Sequence, residues 1–523
     1  MSTYRFRELK VPLEHKNDVQ ACLARTLGVP ESAITRLDVD RFALDSRKRG
    51  APHWSYNVRF DCAQTPKPSP YLDDASWEKE SLAADPLAST IAFPEKVTVV
   101  GAGPAGLWTA LHFLRRGFKV ALHEQGKTVE ERFRDIRKFF ADRTFNPYSN
   151  VLFGEGGAGA FSDGKLNTRT RNAFSQAVLE DMAGFGLSRE ILSFAKPHVG
   201  TDRLVLLLQK VRAEIISRGG ELFFSSHLED IDVTNKVIVR AKFNGKWESC
   251  GALVVAGGHS ARFLYELFAA RGIQLESKAF AMGVRVEHPQ ILINERQLGK
   301  GVDTSLTGSA EYSLTAKTLG GKSAAYSFCM CPGGVLVPCA SEPGMLATNG
   351  MSYSKRNGKL ANGAIVVPVA QSTALFGGLE YQRRLERAAF EAGGGNYAAP
   401  AQTIEAFMRK TKDREPLPQS SYPCGLAASN LRDWMGAKLC DSLAEGFENF
   451  ERKIPGFIRY GLIVAPETRT SSPLRIVRNS DTLESVSVKG LYVLGEGAGY
   501  AGGIVTSAAD GVRLANRAKR QNG

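Results

Sequence analysis

The chain has 523 residues, of which 43% are hydrophobic and 23% charged, and its formal net charge is +13. This length fits about two to four domains, and no apolar run reaches the roughly 18 to 20 residues of a membrane span. The positive charge is compatible with an anionic substrate or an acidic protein partner, but no nucleic-acid-binding motif accompanies it, so a nucleic-acid partner is not expected. The N-terminal sequence has no apolar signal region and the eight cysteines suit a reducing compartment, so a cytoplasmic location is expected.

Residues 1–63 have the pattern of a small N-terminal α/β domain of the ferredoxin-like type. The segments YRFRELKVPL and SYNVRFDC predict strands, and NDVQACLARTLG between them predicts an amphipathic helix. Residues 64–93 are rich in Pro, Ser and Ala and have little periodicity, so we expect a linker that crosses the surface.

The segment Lys96–Glu124 predicts a strand, a glycine turn, a helix and a second strand, at the start of a domain over residues 94–275. Gly101, Gly103 and Gly106 form G-x-G-x-x-G directly after an apolar, β-branched run. In a dinucleotide-binding turn the first glycine permits the tight turn, the second lets a pyrophosphate approach the backbone, and the third lets the helix lie close to the strand. The context of the three glycines favours this interpretation over an ordinary βα turn.

The helix that follows this turn starts at Pro104 and Ala105, where free N–H groups and the positive end of the helix dipole favour a phosphate. Glu124 closes the second strand, at the position where a carboxylate accepts both hydroxyls of an adenosine ribose. Together these residues predict a site for the adenosine diphosphate half of a dinucleotide.

A second glycine loop, Gly154–Lys165, follows. Its length and its S-D-G-K ending suit a loop around the cofactor, with Gly157 in its backbone and with Ser162 and Lys165 as donors. A flexible surface loop is the alternative. Further along, a buried strand enters Gly257-Gly258-His259-Ser260, a turn expected at the same edge of the sheet.

In residues 276–466 the sequence pattern changes to that of alternating strands with long polar loops, which predicts an inserted, β-rich substrate domain. Residues 467–523 return to the first fold, because a short apolar strand leads into Gly495-Glu496-Gly497 and then into a helix opened by Gly502-Gly503-Ile504. FAD is long enough to require such a return: the acid meets the ribityl–phosphate region, and the helix N-terminus faces the flavin pyrimidine. A plain NAD domain does not require it, and no second complete G-x-G-x-x-G unit is present.

With these motifs, the chain resembles a family of bacterial FAD-dependent dehydrogenases whose substrate is mostly unassigned. The resemblance implies a glutathione-reductase-type, FAD-binding Rossmann domain, split by the inserted domain and related to geranylgeranyl reductases and fumarate-reductase flavoproteins. FAD would be bound without a covalent link, and NAD(P)H is an optional transient electron donor. The matching segments are 150–167, 198–202, 258–262, 283–290, 326–334, 348–353, 467–473 and the C-terminal GEGAGYAGGI.

Four polar side chains are candidates for catalysis: Lys165, Arg285, Glu287 and Arg469. Lys165 could favour an anionic reduced flavin, and Arg469 could clamp a substrate carboxylate. Arg285 and Glu287 share one face of a strand, with either a polar pocket or solvent as their environment. The resemblance places Lys165, Arg285 and Arg469 on the flavin side of the cleft, which predicts an anionic substrate. The alternatives are ion pairs that leave the pocket neutral, or contacts to the FAD phosphates alone.

Cys329 and Cys331 form C-M-C on an apolar strand, which would place both thiols on one face and Met330 on the other. Such neighbours are poorly placed for an unstrained disulfide, and a metal site would need more ligands, so inert buried cysteines are expected and no metal. His259 is a candidate proton donor near the flavin edge, although a chance placement is equally compatible with its position.

The first functional hypothesis is a FAD-dependent oxidoreductase, a dehydrogenase or reductase that transfers hydride between flavin N5 and a small organic substrate, in one version anionic. An NAD(P)H-dependent flavin monooxygenase is the second, and a non-catalytic flavoprotein that binds a partner is the third. The electron donor or acceptor, the substrate, the direction of reaction, the role of the N-terminal domain and the oligomeric state do not follow from the sequence.

Overall fold

The computed structural model describes residues 2–47, 50–77, 90–166 and 172–521. Part of the expected linker, residues 78–89, lies outside these ranges, as does Asn167 at the end of one family segment. No helix of the described chain is long and apolar enough to cross a membrane.

The N-terminal domain is an antiparallel sheet with one long helix against it and a core of its own. Its sheet has the order β2-β3-β1-β4, which is the strand order of a ferredoxin-like domain, but residues 63–71 form no helix. The fourth strand lies in the segment expected to be linker, so the domain extends past residue 63. The elements are β1 (Ser2–Val11), α1 (Val19–Leu27), β2 (Ile34–Asp45), β3 (His53–Cys62) and β4 (Leu72–Asp74).

A five-stranded parallel sheet of order β24-β12-β6-β7-β8 forms the second domain. Its strand β24 comes from the C-terminal end of the chain and pairs with β12, so the predicted split Rossmann fold is confirmed. The elements are β5 (Ile91–Phe93), β6 (Lys96–Val100), α2 (Pro104–Arg115), β7 (Lys119–His123), α3 (Val129–Asp142), α4 (Ala173–Gly184), α5 (Thr201–Ser217), β8 (Glu221–Phe223), β9 (Leu228–Thr234), β10 (Val237–Phe243), β11 (Lys246–Ser249), β12 (Leu253–Val255), α6 (Arg262–Ala270), β24 (Leu491–Val493), α14 (Ile504–Arg517) and β25 (Ala518–Arg520).

The inserted segment is built on a seven-stranded sheet of order β15-β16-β19-β14-β22-β20-β21, in which only the β20–β21 pair is parallel. Its central strand β14 is buried on both faces because a cluster of helices packs on one side and a hairpin and loops on the other. The elements are β13 (Leu275–Ser277), β14 (Phe280–Pro289), α7 (Gln290–Leu298), α8 (Thr304–Thr307), β15 (Thr315–Thr318), β16 (Ser323–Cys331), β17 (Val335–Pro338), β18 (Thr348–Met351), β19 (Leu360–Val369), α9 (Gly377–Ala392), β20 (Ala399–Thr403), α10 (Ile404–Arg409), β21 (Leu426–Ala428), α11 (Arg432–Met435), α12 (Ala437–Lys453), α13 (Phe457–Tyr460), β22 (Leu462–Glu467) and β23 (Leu474–Ile476).

Candidate active site

Four strands of the parallel sheet deliver loops to one edge, since the carboxyl ends of parallel strands meet there. The glycine turn follows β6, Glu124 follows β7, residues 256–260 follow β12, and residues 494–504 follow β24. The strand order reverses between β7 and β12 on either side of β6, and ligands of open α/β sheets bind at such a point.

The three glycines of the first turn have different roles. Gly101 has φ +98°, and a Cβ there would lie 2.5 Å from the carbonyl oxygen of Ala256. A Cβ on Gly106 would lie 1.8 Å from the carbonyl oxygen of Gly101, so the helix approaches the turn as closely as predicted. A Cβ on Gly103 would meet only Gly157 Cα, at 3.9 Å. The fold therefore requires glycine at the first and third positions, whereas the second borders open space.

The start of α2 is fixed by the C-terminal return. Pro104 occupies the first turn of α2, where its missing N–H costs nothing. The next residue, Ala105, lies under β24 and α14: a Cβ on Gly495 would be 3.1 Å from Ala105 Cβ, and one on Gly511 2.7 Å from its carbonyl oxygen. Small residues at these contacts let α2 and α14 lie side by side below the turn.

Glu124 ties three turns together. Its carboxylate is 5% exposed and accepts hydrogen bonds from the backbone N–H of Ala102 (2.7 Å), Gly126 (2.9 Å) and Gly154 (3.0 Å). The sequence predicts a contact to ribose at this position but gives no sign of the backbone partners. Two of these partners come from segments that only the tertiary fold brings near.

The second glycine loop lies against the first. Gly156 donates its N–H to the carbonyl oxygen of Ala102 (2.8 Å), and a Cβ on Gly157 would be 3.2 Å from Gly103 Cα. Ser162 donates to the carbonyl oxygen of Gly159 (2.7 Å) and accepts from Gly164 N–H (3.0 Å). Its hydroxyl thus shapes the loop itself, in addition to any contact it makes with a cofactor.

Arg132 holds this loop in place and was not predicted from the sequence. It is fully buried on α3, and its guanidinium donates to four loop carbonyls, those of Asn150 (2.7 Å), Val151 (2.8 Å), Gly154 (3.3 Å) and Glu155 (2.7 Å). The neighbouring sequence, VEERFRD, is that of an exposed charged helix, so the burial of one arginine has no local signal.

The C-terminal loop presents Glu496 and the N-terminus of α14 to the same edge. Glu496 accepts a hydrogen bond from Gly503 N–H (2.8 Å), and burial raises the pKa of its carboxyl. Cβ atoms on Gly502 and Gly503 would meet no atom within 4 Å, and Ile504 begins the helix, with its side chain against Gly159. The predicted juxtaposition of the two glycine loops with the C-terminal return is present.

His259 lies between this loop and the inserted domain. Its Nε2 is 3.9 Å from a carboxylate oxygen of Glu496. Burial, together with the positive charges of Arg469 and Arg262, lowers the pKa of His259 to about 3. The imidazole is therefore neutral at physiological pH, with one ring nitrogen able to donate and the other able to accept a hydrogen bond.

The predicted cations do not converge on one open pocket. Arg285 is fully buried 3.6 Å from the Glu467 carboxylate, and Arg469 forms a bidentate ion pair with Glu386 (2.9 Å for both contacts). The expectation of three free cations around a substrate is therefore corrected: burial makes an unpaired arginine costly, and a carboxylate accompanies each.

Lys165 and Glu287 also have protein partners. Lys165 Nζ is 2.7 Å from an Asp163 carboxylate oxygen and donates to the carbonyl oxygen of Met330, yet its side chain remains 27% exposed. Glu287 accepts hydrogen bonds from Ser420 and Ser421, and burial raises the pKa of its carboxyl. Of the four candidates, only Lys165 lies in the second glycine loop and also reaches solvent.

The backbone of this edge is open to a ligand at several glycines. Cβ atoms on Gly258, Gly502 and Gly503 would meet nothing within 4 Å, and that on Gly103 only one atom at 3.9 Å. The N-termini of α2 and α14 both open onto this edge and offer free N–H groups to anionic or electron-rich parts of a ligand. We call these open glycines, the loops that carry them and the second glycine loop, Gly154–Lys165, which packs on the first turn, the cradle.

Comparison with known proteins identifies a family model that matches the inserted segment and a relative of the whole chain. Residues 279–470 match a family model described as FAD-dependent protein, C-terminal domain-like. A protein of Clostridium beijerinckii (strain ATCC 51743 / NCIMB 8052), described as uncharacterized, is 40% identical over 509 residues, which cover 95% of each chain.

Solved structures overlap only loosely. L-proline dehydrogenase from P. horikoshii has a TM-score of 0.37 at 10% identity, covering 82% of this chain and 93% of its own. Glycine oxidase from Geobacillus kaustophilus has a TM-score of 0.35 at 12% identity, covering 81% and 95%. Likeness at this level does not bear on activity or substrate.

Proposed function

The chain belongs to the same family as the Clostridium beijerinckii protein and is a FAD-dependent oxidoreductase, and on this premise we propose that it is a dehydrogenase or reductase of a small organic substrate. The observation that carries the proposal is the cradle: three loops of the parallel sheet have glycines that border open space, and the second glycine loop packs on the first of them, beside the inserted domain. Lys165 joins the two, since it lies in a cradle loop and donates to a carbonyl of β16.

Bound FAD supplies the acceptor or donor of an electron pair, in the form of a hydride exchanged at flavin N5. The residues of this chain have the other tasks. The glycines keep side chains out of the cradle, and the ends of α2 and α14 direct N–H groups into it. Glu496 orients Gly503 at the start of α14.

His259 is the residue that we assign to substrate positioning, through hydrogen bonds of its ring nitrogens. Its neutral form at physiological pH lets one ring nitrogen accept a hydrogen bond from a substrate hydroxyl or amine while the other remains a donor. Because its pKa is lowered to about 3, the imidazole is too weak a base to take up the substrate proton itself.

A substrate with one anionic group can reach Lys165, because its side chain remains 27% exposed although it is paired with Asp163. Arg356 shares the same carboxylate, so Asp163 has two cationic partners. Arg285 and Arg469 are buried beside Glu467 and Glu386, so neither guanidinium is open to a substrate. We therefore assign recognition of the anionic group to Lys165 alone.

The eight cysteines are free thiols, which suits a protein of a reducing compartment. We propose a cytoplasmic location, with NAD(P)H or another protein as the electron donor or acceptor.

The experiment is anaerobic mixing of the FAD-loaded protein with NADH, NADPH and a panel of small alcohols, amines and carboxylic acids, followed by the flavin absorbance. We expect bleaching by at least one compound, and a Lys165→Met variant that raises KM for anionic compounds about tenfold or more while kcat changes little. A matched control is Lys196→Met, an exposed lysine paired with Glu311. Bleaching by NAD(P)H only, followed by an adduct that absorbs in the near ultraviolet when oxygen is then admitted, would instead indicate a monooxygenase.

A further inference from the structure

The C-M-C segment is not the regular strand that its sequence predicts. Phe328 of β16 pairs with Ala364 of β19, and Cys331 pairs with Asn362, so β16 has one residue more than its partner in this interval. Cys329 sits in the resulting bulge with φ +45°, a left-handed conformation that is uncommon for a residue with a side chain. Strained backbone of this kind persists where the surrounding structure holds it, often at functional sites.

The bulge gives the two thiols different surroundings. Cys329 is half-buried, so a small oxidant can reach it, whereas Cys331 is buried. The Cys331 thiol is 3.4 Å from the carbonyl oxygen of Cys329. The expected regular strand, with both thiols projecting in parallel from one face, is interrupted between them.

Two cations flank the pair. Arg285 Nη2 lies 3.4 Å from Cys331 Sγ and 3.1 Å from the carbonyl oxygen of Cys329, and Lys165 donates to the carbonyl oxygen of Met330 between them. Each cation also has a carboxylate partner: Asp163 is paired with Lys165 and Arg356, and Glu467 with Arg285. The titratable or charged groups around the pair are Lys165, Asp163, Arg285, Arg356, Glu467 and Tyr312.

We infer that Cys329 and Cys331 form a peroxide-sensitive dithiol site, in which Cys329 is the reacting thiol and Cys331 the resolving one. The inference goes beyond the proposed function and does not depend on it. Cys329 is the thiol of the two that is partly exposed, at the bulge, so a peroxide reaches it first. The neighbouring Cys331 thiol and the cations Lys165 and Arg285 lower the pKa of the Cys329 thiol despite its burial, whereas the pKa of Cys331 is raised. A thiolate next to a neutral thiol is the arrangement that such chemistry requires.

The reaction balances with a hydroperoxide as oxidant. The Cys329 thiolate attacks one peroxide oxygen, the O–O bond breaks, and the leaving alkoxide or hydroxide takes up a proton, which gives a sulfenic acid. The Cys331 sulfur then attacks the Cys329 sulfur, an S–S bond forms, and the S–O bond breaks to release water. In sum the dithiol loses two electrons and two protons, and the hydroperoxide is reduced to an alcohol or water, plus one water.

Closure with only one residue between the cysteines gives a strained disulfide, which small thiols reduce readily. It would also move Met330, whose carbonyl holds Lys165 of the cradle loop. The redox state of the pair is thereby connected to the loop that borders the cofactor.

Five other cysteines provide internal references. Burial raises the pKa of the thiols of Cys22, Cys250, Cys339, Cys424 and Cys440. These thiols should react slowly in the folded protein, so selectivity for Cys329 is measurable within one sample.

The test is alkylation of the folded protein with iodoacetamide from pH 5.5 to 9, with each cysteine peptide quantified by mass spectrometry. We expect Cys329 to react at least about tenfold faster than Cys22 at pH 6.5, with a midpoint below the ~8.5 of a free thiol. Substoichiometric peroxide should then produce a Cys329–Cys331 disulfide, which dithiothreitol reverses.

Variants separate the two roles. Cys331→Ser should retain fast labelling of Cys329 and accumulate a sulfenic acid that dimedone traps, whereas Cys329→Ser should lose both; Cys22→Ser is the control and should behave as wild type. The inference is overturned if Cys329 of the wild-type protein reacts no faster than Cys22, or if peroxide leaves both thiols free. None of these readouts requires bound flavin, so failure here is distinct from failure of the proposed enzymatic activity.

Discussion

Gly103 and Gly106 are three residues apart, yet we expect replacement of Gly103 to weaken FAD binding and replacement of Gly106 to destabilise the fold. Gly103 has φ −74° and ψ −178°, which any residue adopts, and it borders the open cradle. We expect Gly103→Val to fold and to lose FAD affinity by at least about tenfold, because the side chain occupies space meant for the pyrophosphate. Isothermal titration with FAD, together with circular dichroism of the apoprotein, measures both properties.

The matched variant is Gly106→Val, whose Cβ would lie 1.8 Å from the carbonyl oxygen of Gly101. It should lower the free energy of unfolding of the apoprotein by about 3 kcal/mol or more. If both variants bind FAD as the wild type does, the turn after β6 is not the cofactor turn.

Glu124 should prove to be a stability residue as well as a cofactor residue. Its carboxylate accepts three backbone N–H groups in a site that is 5% exposed. Glu124→Ala leaves those donors without an acceptor, and we expect a loss of about 3–5 kcal/mol in the apoprotein, measured by urea unfolding. Unchanged apoprotein stability with weakened FAD binding would mean that the carboxylate acts on the ribose alone.

At single residues, the sequence predicted those roles that follow from local backbone geometry. Gly101 and Gly106 are examples, since the turn itself demands them. The arginines were harder, because Arg285 and Arg469 are recognisable as charged, but their partners Glu467 and Glu386 are set by the tertiary fold. A sequence shows that a charge exists and does not show whether another charge neutralises it.

Helix α3 acts as a clamp on the second glycine loop through one side chain. Replacement of Arg132 by Met keeps most of the volume but removes the donors to four loop carbonyls. We expect the loop over residues 150–157 to become open to limited proteolysis, and FAD affinity to fall about tenfold or more. The control is Arg134→Met, an exposed arginine on the same helix. Equal proteolysis of the two variants would contradict the clamp.

Elements with a complete local signal were predictable, and elements shaped by their neighbours were not. The succession β6, α2 and β7 follows from an apolar run, a glycine turn and a helix N-terminus within one short segment. The bulge at Cys329 follows from the pairing of β16 with β19, which are separated by a long stretch of chain. Its left-handed residue is a cysteine rather than a glycine, so the usual sign of such a turn is missing.

An aromatic contact is one of several that join the N-terminal domain to the rest of the molecule, beside the Lys16–Glu190 ion pair and the packing of Leu44 on the inserted domain. The rings of Phe42 and Phe194 stack at 4.9 Å, and the backbone of Phe42 exchanges hydrogen bonds with Ser193 and Ala195. We expect Phe194→Ala to expose this domain to protease without changing the FAD content, because the domain has its own core. Leu206→Ala, at an exposed position on α5, is the control. Loss of FAD from Phe194→Ala would mean that the domain supports the cradle.

The order of domains along the chain was predictable because each changes the pattern of the sequence. The C-terminal return rested on Gly495–Ile504, and β24 does pair with β12 in the parallel sheet. The boundary between the first domain and the linker was predicted less accurately. Strand β4 is only Leu72–Asp74, and it is recognised as a strand only by its pairing with β1. A three-residue strand carries too little pattern to be recognised alone.

The most direct test of the whole account is the flavin content of the purified protein. We predict a yellow protein that holds one FAD per chain and releases it on acid precipitation, because the cradle provides a non-covalent site. Gly103→Val should purify folded but colourless. A colourless wild-type protein that takes up no FAD when incubated with an excess would contradict the account.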